Sequence, residues 1–257
     1  MKKISAILYG WLVGNDASFE ERIEFAKSVS KNAPEELTDV VYMGNYDHVP
    51  FEVVYKRAGV MRSTIGSQSG PMGAGTASNF ASHIHMWNYA ANSDIAVAIL
   101  EHDTRLMAPL THMYVPDDII LCLGPRVPTV DHYTYPKGSV GSVIDVQHHA
   151  GSHAYAISPV TARKLLKVVR EVGIFDSIDQ MIFMNNKKVT MKTYYPDLQM
   201  QAVDPPPVIA VWADNEGKQK ESSIGRSAPG ANIQPNYNYY LTPGFEKGLQ
   251  LIGKTND

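Results

Sequence analysis

The chain has 257 residues, a formal net charge of −3 at pH 7 and 44% hydrophobic residues, a composition typical of a globular protein with a sizeable core. The acidic balance excludes a basic field over the whole molecule that would attract nucleic acid, and leaves only a local basic groove open. The single cysteine, Cys122, excludes an intramolecular disulfide and a zinc site built from several cysteines, and it favours a reducing, cytoplasmic compartment. No apolar run approaches the length of a membrane span.

The first half of the chain alternates between two kinds of predicted element. Continuous apolar runs predict strands at 4–13, 39–44, 94–103 and 117–124. Helical spacing of apolar residues predicts helices at 16–32 and 79–93. This alternation predicts an α/β fold, a single domain in which helices flank a mostly parallel central sheet.

Three segments of the first half need separate interpretation. The N-terminus superficially resembles a signal peptide, but its apolar part is short and is broken by Ser5, Tyr9 and Gly10, which favours a first core strand. The segment 51–59 fits either a strand or a helix. The segment 63–79 is rich in glycine and serine, and it predicts a loop.

The second half begins with a segment of different composition. Residues 125–158 combine proline, glycine, tyrosine and histidine with short β-like runs, which predicts loops and hairpins beside the sheet. The segment 158–173 then predicts a helix that Ser158 caps and in which Pro159 occupies the first turn. Its expected buried stripe is Ala162, Leu165, Leu166 and Val169.

The C-terminal part predicts little regular structure. From residue 204 onward prolines, glycines and asparagines dominate, so we expect a loop-rich tail that packs by its tyrosines. The sequence therefore predicts one domain over 1–226 and a C-terminal tail over 227–257 that packs on it.

Acidic residues follow directly after the predicted strand at 94–103. In an open parallel sheet ligands bind beyond the carboxyl ends of the strands, and residues two apart in a strand point the same way. Glu101 and Asp103 would therefore converge on one cation such as Mg²⁺ or Mn²⁺, with His102 between them. Such an ion commonly bridges a diphosphate and neutralises charge on a leaving group. The alternative is a solvated strand end that binds nothing.

Four sequence elements occur in the order and approximate spacing of a known enzyme family. The stretch "ASHIHMWNYAANSDIAVAILEHD" joins a Ser-His helix to an apolar strand that ends in acids, and "GSHAYAISPVTARKLL", "SIDQMIF" and "ESSIGR" follow. Over about residues 75 to 226 the chain resembles glycosyltransferase family 25, typified by bacterial lipooligosaccharide galactosyltransferases and by collagen galactosyltransferases. An arginine in the first predicted helix, Arg22, also fits this family.

This resemblance implies a fold, a donor and a set of site residues. It implies a GT-A-type fold over 1–226, a nucleotide-sugar donor such as a UDP-sugar, and the cation Mn²⁺ or Mg²⁺. Glu101 and Asp103 would bind the metal, and Asp179 would be the general base. His153 would be a third metal ligand or a hydrogen-bond donor to the phosphate groups. The residues implied on the donor side are Leu8, Tyr9, Gly10, Arg22, Ser82, His83 and His102.

Three interpretations of the function stay open, two of which differ in the acceptor. The resemblance implies a glycan acceptor such as lipooligosaccharide. A phage-type enzyme that glycosylates a hydroxymethylated DNA base is the second, with a basic track formed by Lys56, Arg57, Arg62, Lys187 and Lys188. Of these, Arg57 and Arg62 are also candidates for contact with diphosphate, or they form a solvated face. The third is a non-catalytic sugar-binding relative, because His102 and Gln180 replace acids of the family pattern.

Overall fold

The computed structural model describes residues 1–10, 39–43, 51–60, 74–101, 104–106, 110, 113–124, 142–146, 152–174, 177–183, 198–204 and 206–210. The strands in these ranges are β1 Lys2–Gly10, β2 Asp39–Met43, β3 Ala96–Glu101, β4 Thr104–Leu106, β5 Tyr114–Val115, β6 Ile119–Cys122, β7 Ser142–Val146, β8 Ala154–Ile157, β9 Gln199–Asp204 and β10 Val208–Ala210. The helices are α1 Phe51–Ala58, α2 Ala74–Ala91, α3 Pro159–Val172 and a π-helix at Asp179–Phe183.

The main sheet has the strand order β2-β1-β3-β8-β6-β9-β7, with β5 also paired to β1, while β4 and β10 form a separate pair. Strand β1 is parallel to β2 and β3, and β6 is parallel to β9. Strand β8 is antiparallel to both its neighbours, and β7 is antiparallel to β9. The predicted α/β class is confirmed, but the described strands form a mixed sheet because β8 enters between β3 and β6 in the opposite direction.

The core lies on both faces of the central strand β3. Side chains alternate along a strand, so Val97 and Ile99 face the layer that contains α2 and α3, while Ala98 and Leu100 face the opposite cluster. All six residues of β3 are buried. Such a strand, covered on two sides, reads in the sequence as a continuous apolar run, and this is why the pattern 94–103 predicts it correctly.

Helix α3 is stabilised by the cap that the sequence predicts. The Ser158 side chain accepts a hydrogen bond from the Thr161 backbone N–H at 3.2 Å, and Pro159 stands in the first turn. The four residues of the expected stripe are all buried. The helix ends at Gly173, whose φ of 79° lies in the region that favours glycine. These observations confirm the prediction for 158–173.

Two predictions about local structure are wrong. Helix α2 begins at Ala74, so the loop predicted at 63–79 is incorrect from residue 74 onward. Its small residues permit close packing against α1, where the Tyr55 hydroxyl donates to the Ala77 carbonyl at 2.5 Å. The tail predicted from residue 204 contains strand β10, which pairs with β4 and buries Val208.

Three further predicted segments remain, of which one is described by the structure and two are not. The ambiguous segment 51–59 is helical as α1. The helix predicted at 16–32 and the tail at 227–257 lie outside the described residues. Within the described ranges, none of the helices combines the length and the apolar character needed to cross a membrane.

Candidate functional site

The ends of several strands meet at one edge of the main sheet. Gly10, the last residue of β1, pairs in register with Glu101, the last residue of β3. The Glu101 backbone N–H donates to the His153 carbonyl at 2.8 Å, and the Leu123 N–H donates to the Ala154 carbonyl at 3.0 Å. We call this region, formed by the ends of β1, β3 and β6 and the start of β8, the carboxyl edge. The antiparallel direction of β8 brings its first residues to this edge.

Glu101 is buried at the carboxyl edge, with 7% of its surface exposed. The Ser152 hydroxyl donates to its Oε1 at 2.7 Å, and the Asn79 side-chain amide donates to the same oxygen at 3.4 Å. His83 Nε2 lies 3.0 Å from this oxygen as well. Within the described ranges no hydrogen bond to Oε2 is present. One oxygen of the carboxylate is therefore fixed by the protein.

Helix α2 and strand β8 supply a second layer behind Glu101. His83 Nδ1 lies 2.7 Å from the Tyr155 hydroxyl, and the Trp87 indole N–H donates to the same hydroxyl at 2.8 Å. The His83 and Tyr155 rings are stacked, with centroids 5.7 Å apart. His83 and Trp87 are four residues apart in α2, so they share a helix face and both reach Tyr155.

The surroundings of Glu101 keep it ionised. Burial alone would raise the pKa of its carboxyl group. The hydrogen bond and charge of His83, the hydrogen bond of Ser152 and the charge of His153 together outweigh burial and lower this pKa to about 2. The Glu101 side chain therefore carries a full negative charge over the physiological pH range.

Asp179 has the opposite electrostatic behaviour in the same cluster. It is the first residue of the π-helix, and its Oδ1 is buried without a hydrogen-bond partner among the described residues. Burial and the negative charge of Glu101 raise its pKa to about 6, although Ser152 and His83 act in the opposite direction. A carboxylate with such a pKa can accept a proton near neutral pH. Short π-helical turns frequently occur at functional sites.

His153 lies against the backbone at the end of β6. It is 2% exposed, and a Cβ atom placed on Gly124 would lie 2.1 Å from its Nε2 atom. Only glycine at position 124 leaves room for the imidazole in this position. The His153 ring is also close enough to Glu101 to lower the pKa of its carboxyl group.

Comparison with known proteins gives a structural similarity but no family match. No family model matches the chain, and no curated protein matches it. The chain is similar to the crystal structure of the glycosyltransferase GlyE in Streptococcus pneumoniae TIGR4, with 9% sequence identity and a TM-score of 0.41. The similarity covers 97% of this chain and 60% of that chain, so this chain spans about three fifths of the protein that it matches.

The structure brings together four of the residues that the sequence singles out. His83, Glu101, His153 and Asp179 belong to one cluster at the carboxyl edge. The predicted site residues outside the described ranges are Arg22, Arg62, His102 and Asp103.

The remaining predicted residues lie at varying positions around this cluster. Tyr9 and Gly10 end strand β1 beside Leu100 and Glu101, and Leu8 before them is fully buried, so its donor-side role stays a prediction. Ser82 is buried in α2. Arg57 is exposed in the last turn of α1 and is not part of the cluster, so its phosphate-binding role stays a prediction.

The predicted metal site depends on Asp103, which is not among the described residues. In the described part of the chain, no three histidine, cysteine, aspartate or glutamate side chains are arranged to hold a metal ion. Glu101 itself fits the role, because it is ionised and Oε2 has no donor in that part of the chain. Carboxylate oxygens are the ligands that Mg²⁺ and Mn²⁺ prefer.

Four members of the cluster were not identified from the sequence as functional: Asn79, Trp87, Ser152 and Tyr155. Trp87 is fully buried in the core, and its indole N–H is used in a hydrogen bond. Strand alternation contains a usable signal, because His153 and Tyr155 are two residues apart and share a face. Ser152 and Asn79 have no comparable signal, since their role depends on how β8 and α2 pack.

Proposed function

We propose that the chain is a glycosyltransferase that moves a sugar from a nucleotide-sugar donor, such as a UDP-sugar, to a hydroxyl group of a glycan acceptor. The observation that supports this most is the pair of carboxyl groups at the carboxyl edge. Glu101 has a pKa lowered to about 2, and Asp179 has a pKa raised to about 6. When the environment pushes two pKa values apart in one site, the groups commonly have different roles in acid–base chemistry.

In the proposed reaction Asp179 takes the proton of the acceptor hydroxyl group. A general base works best when its pKa is near the operating pH, and its oxygen must reach the proton that it removes. The buried Oδ1 of Asp179 has no competing hydrogen bond within the described residues. As the hydroxyl oxygen attacks the anomeric carbon, the bond to the nucleoside diphosphate breaks and negative charge develops on the leaving group. A base on the acceptor side implies an inverting displacement.

Glu101 acts on the donor side of the proposed site. A divalent cation, when bound, would neutralise charge on the diphosphate. Glu101 would hold it through Oε2, and by the family resemblance Asp103 would join it, with His153 as the third candidate. The three groups at Oε1 fix the orientation of the carboxylate, which preorganises the site before the donor binds.

The direct test is release of the nucleotide by the purified protein. The protein is incubated with Mn²⁺ and a panel of nucleotide sugars, with and without glycan acceptors, and the free nucleoside diphosphate is measured. We expect release from one donor, stimulated by an acceptor, and abolished in Asp179→Asn. The matched control is Asp145→Asn, because Asp145 is an exposed aspartate on the edge strand β7 that accepts only a surface hydrogen bond from Gln201.

A second test addresses the metal. We expect Mn²⁺ to bind the wild-type protein, and Glu101→Gln and Asp103→Asn each to weaken that binding, as measured by the electron paramagnetic resonance of free Mn²⁺. If no nucleotide sugar is turned over with any acceptor tested, the protein is not a glycosyltransferase. Saturable sugar binding without turnover would then identify a non-catalytic relative.

A further inference from the structure

Ser152 interacts with both carboxyl groups of the cluster. It stands two residues before strand β8 and is 3% exposed. Its hydroxyl donates to Glu101 Oε1 at 2.7 Å, the shortest of the three separations at that oxygen. It also lies close to Asp179: burial raises the pKa of that carboxyl group, and hydrogen bonding from Ser152 lowers it. One buried serine is therefore adjacent to both groups that carry the proposed chemistry.

The backbone next to Ser152 is attached to strand β3. The Glu101 backbone N–H donates to the His153 carbonyl at 2.8 Å, so the main chain and the side chain of Glu101 are bound by two consecutive residues. These two hydrogen bonds hold the start of β8 against the end of β3. The backbone bond does not depend on the side chain at position 152, so a substitution there changes the hydroxyl contact alone.

The Ser152 hydroxyl can serve only one of the two carboxyl groups at a time. A serine hydroxyl carries a single hydrogen, and here that hydrogen is directed to Glu101 Oε1. The donor that Ser152 can offer to Asp179 is then its backbone N–H. Asp179 Oδ1 has no hydrogen-bond partner among the described residues. The hydroxyl therefore orients Glu101, while one oxygen of Asp179 keeps no donor in that part of the chain.

We propose that Ser152 is a positioning residue that fixes the Glu101 carboxylate relative to Asp179 by donating its hydroxyl hydrogen to Oε1. Without this hydroxyl the carboxylate would be free to rotate away from its place at the carboxyl edge. Groups that act on the two sides of one reacting carbon must be held in a fixed relative geometry, because small displacements of reacting groups slow the reaction steeply. This consequence for catalysis rests on the proposed function, whereas the arrangement of the side chains does not.

Crystal structures of the wild-type protein and of Ser152→Ala test the arrangement without any substrate. Alanine fits the space of serine and removes only the hydroxyl. We expect the wild-type structure to show the hydroxyl within hydrogen-bond distance of Glu101 Oε1. In Ser152→Ala we expect the Glu101 carboxylate to rotate and its separation from Asp179 to change. An unchanged Glu101 carboxylate in Ser152→Ala would overturn the proposal.

Kinetics test the positioning role in the reaction. Loss of a group that orients a ligand of the reacting centre commonly costs about 10-fold in activity, so we expect kcat for Ser152→Ala to fall about 10-fold while the acceptor KM is unchanged. Ser152→Thr keeps a hydroxyl that can donate, so it should retain most of the wild-type kcat. A wild-type kcat in Ser152→Ala, or equal losses in the two variants, would refute the positioning role.

The matched control is Ser158→Ala. Ser158 is also a buried serine beside β8, but it follows that strand and its side chain caps helix α3 through the Thr161 backbone N–H. We expect this variant to lower stability without changing kcat. Equal kcat values for Ser152→Ala and Ser158→Ala would count against the proposal. If the wild-type protein turns over no donor, the proposed function fails, and the two crystal structures alone decide whether Ser152 positions Glu101.

Discussion

At the scale of single residues, the site contains two carboxyl groups whose surroundings have opposite effects. The cost of burying the Glu101 charge is offset by three polar groups at its Oε1 atom. The pKa of its carboxyl group therefore lies below the ordinary value of 4.5. Asp179 is half-buried beside that negative charge, and the pKa of its carboxyl group lies above the ordinary value of 3.8. The first residue therefore stabilises the fold at neutral pH, while the second destabilises it. A destabilising buried charge is typical of a residue retained for activity.

Replacement of Asp179 should separate stability from activity. The raised pKa means that the folded state binds the proton more tightly than the unfolded state, so the contribution of Asp179 to stability is full below pH 3.8 and is lost as the pH rises through about 6. At pH 8 we expect Asp179→Asn to be more stable than the wild-type protein by about 2 kcal/mol, after allowance for its partial exposure, and to be inactive. Urea denaturation at pH 4 and pH 8 measures this, and a variant that is less stable at pH 8 would contradict it.

Replacement of Glu101 should give the reverse result. Its lowered pKa means that its contribution to stability is present above pH 4.5 and is lost as the pH falls through about 2. At pH 7 we expect Glu101→Gln to lose about 2 to 4 kcal/mol, because His83 and Ser152 lose their ionised partner. The deficit should shrink as the pH is lowered toward 2. Denaturation over that range checks the sign, and a deficit independent of pH would show that the charge contributes nothing.

At the scale of elements, the sequence predicts those parts whose pattern is local. The apolar runs of β1, β3 and β6 and the capped stripe of α3 are correct because each depends on residues close together in the chain. The start of α2 and the strands β9 and β10 were missed, since they are stabilised by distant partners. For the same reason the position of Glu101 could be predicted, but its partners Ser152 and Asn79 could not.

The junction between β6 and β8 gives a prediction at this scale. A Cβ atom on Gly124 would lie 2.1 Å from His153 Nε2, which no side chain tolerates without movement. We expect Gly124→Ala to lower the free energy of unfolding by about 1 to 3 kcal/mol, which is the cost of overpacking. The same substitution in a His153→Ala background should cost much less, because the ring that causes the clash is absent. Additive effects in this double-mutant cycle would contradict the contact.

At the scale of the whole molecule, charge bears on the choice of acceptor. The chain has 23 basic and 26 acidic residues, so no general attraction to a nucleic-acid backbone is expected. Lys56 and Arg57 in the last turn of α1 are the described part of the basic track that a DNA acceptor would need, and Arg57 is exposed there. A proposed glycan acceptor needs no such track, because uncharged sugars are bound through hydrogen bonds and stacking.

Salt dependence distinguishes these acceptors. Neutralised phosphates release counterions, so the affinity of a DNA-binding protein falls steeply with salt concentration. We expect gel-shift assays with duplex DNA that contains hydroxymethylated bases to show no binding at about 150 mM salt. We also expect Lys56→Ala to leave transfer to a glycan unchanged, since Lys56 does not belong to the cluster around Glu101. Tight DNA binding that weakens with salt and in the variants Lys56→Ala and Arg57→Ala would reject the glycan acceptor and favour a DNA base, while leaving the proposed roles of Glu101 and Asp179 in sugar transfer intact.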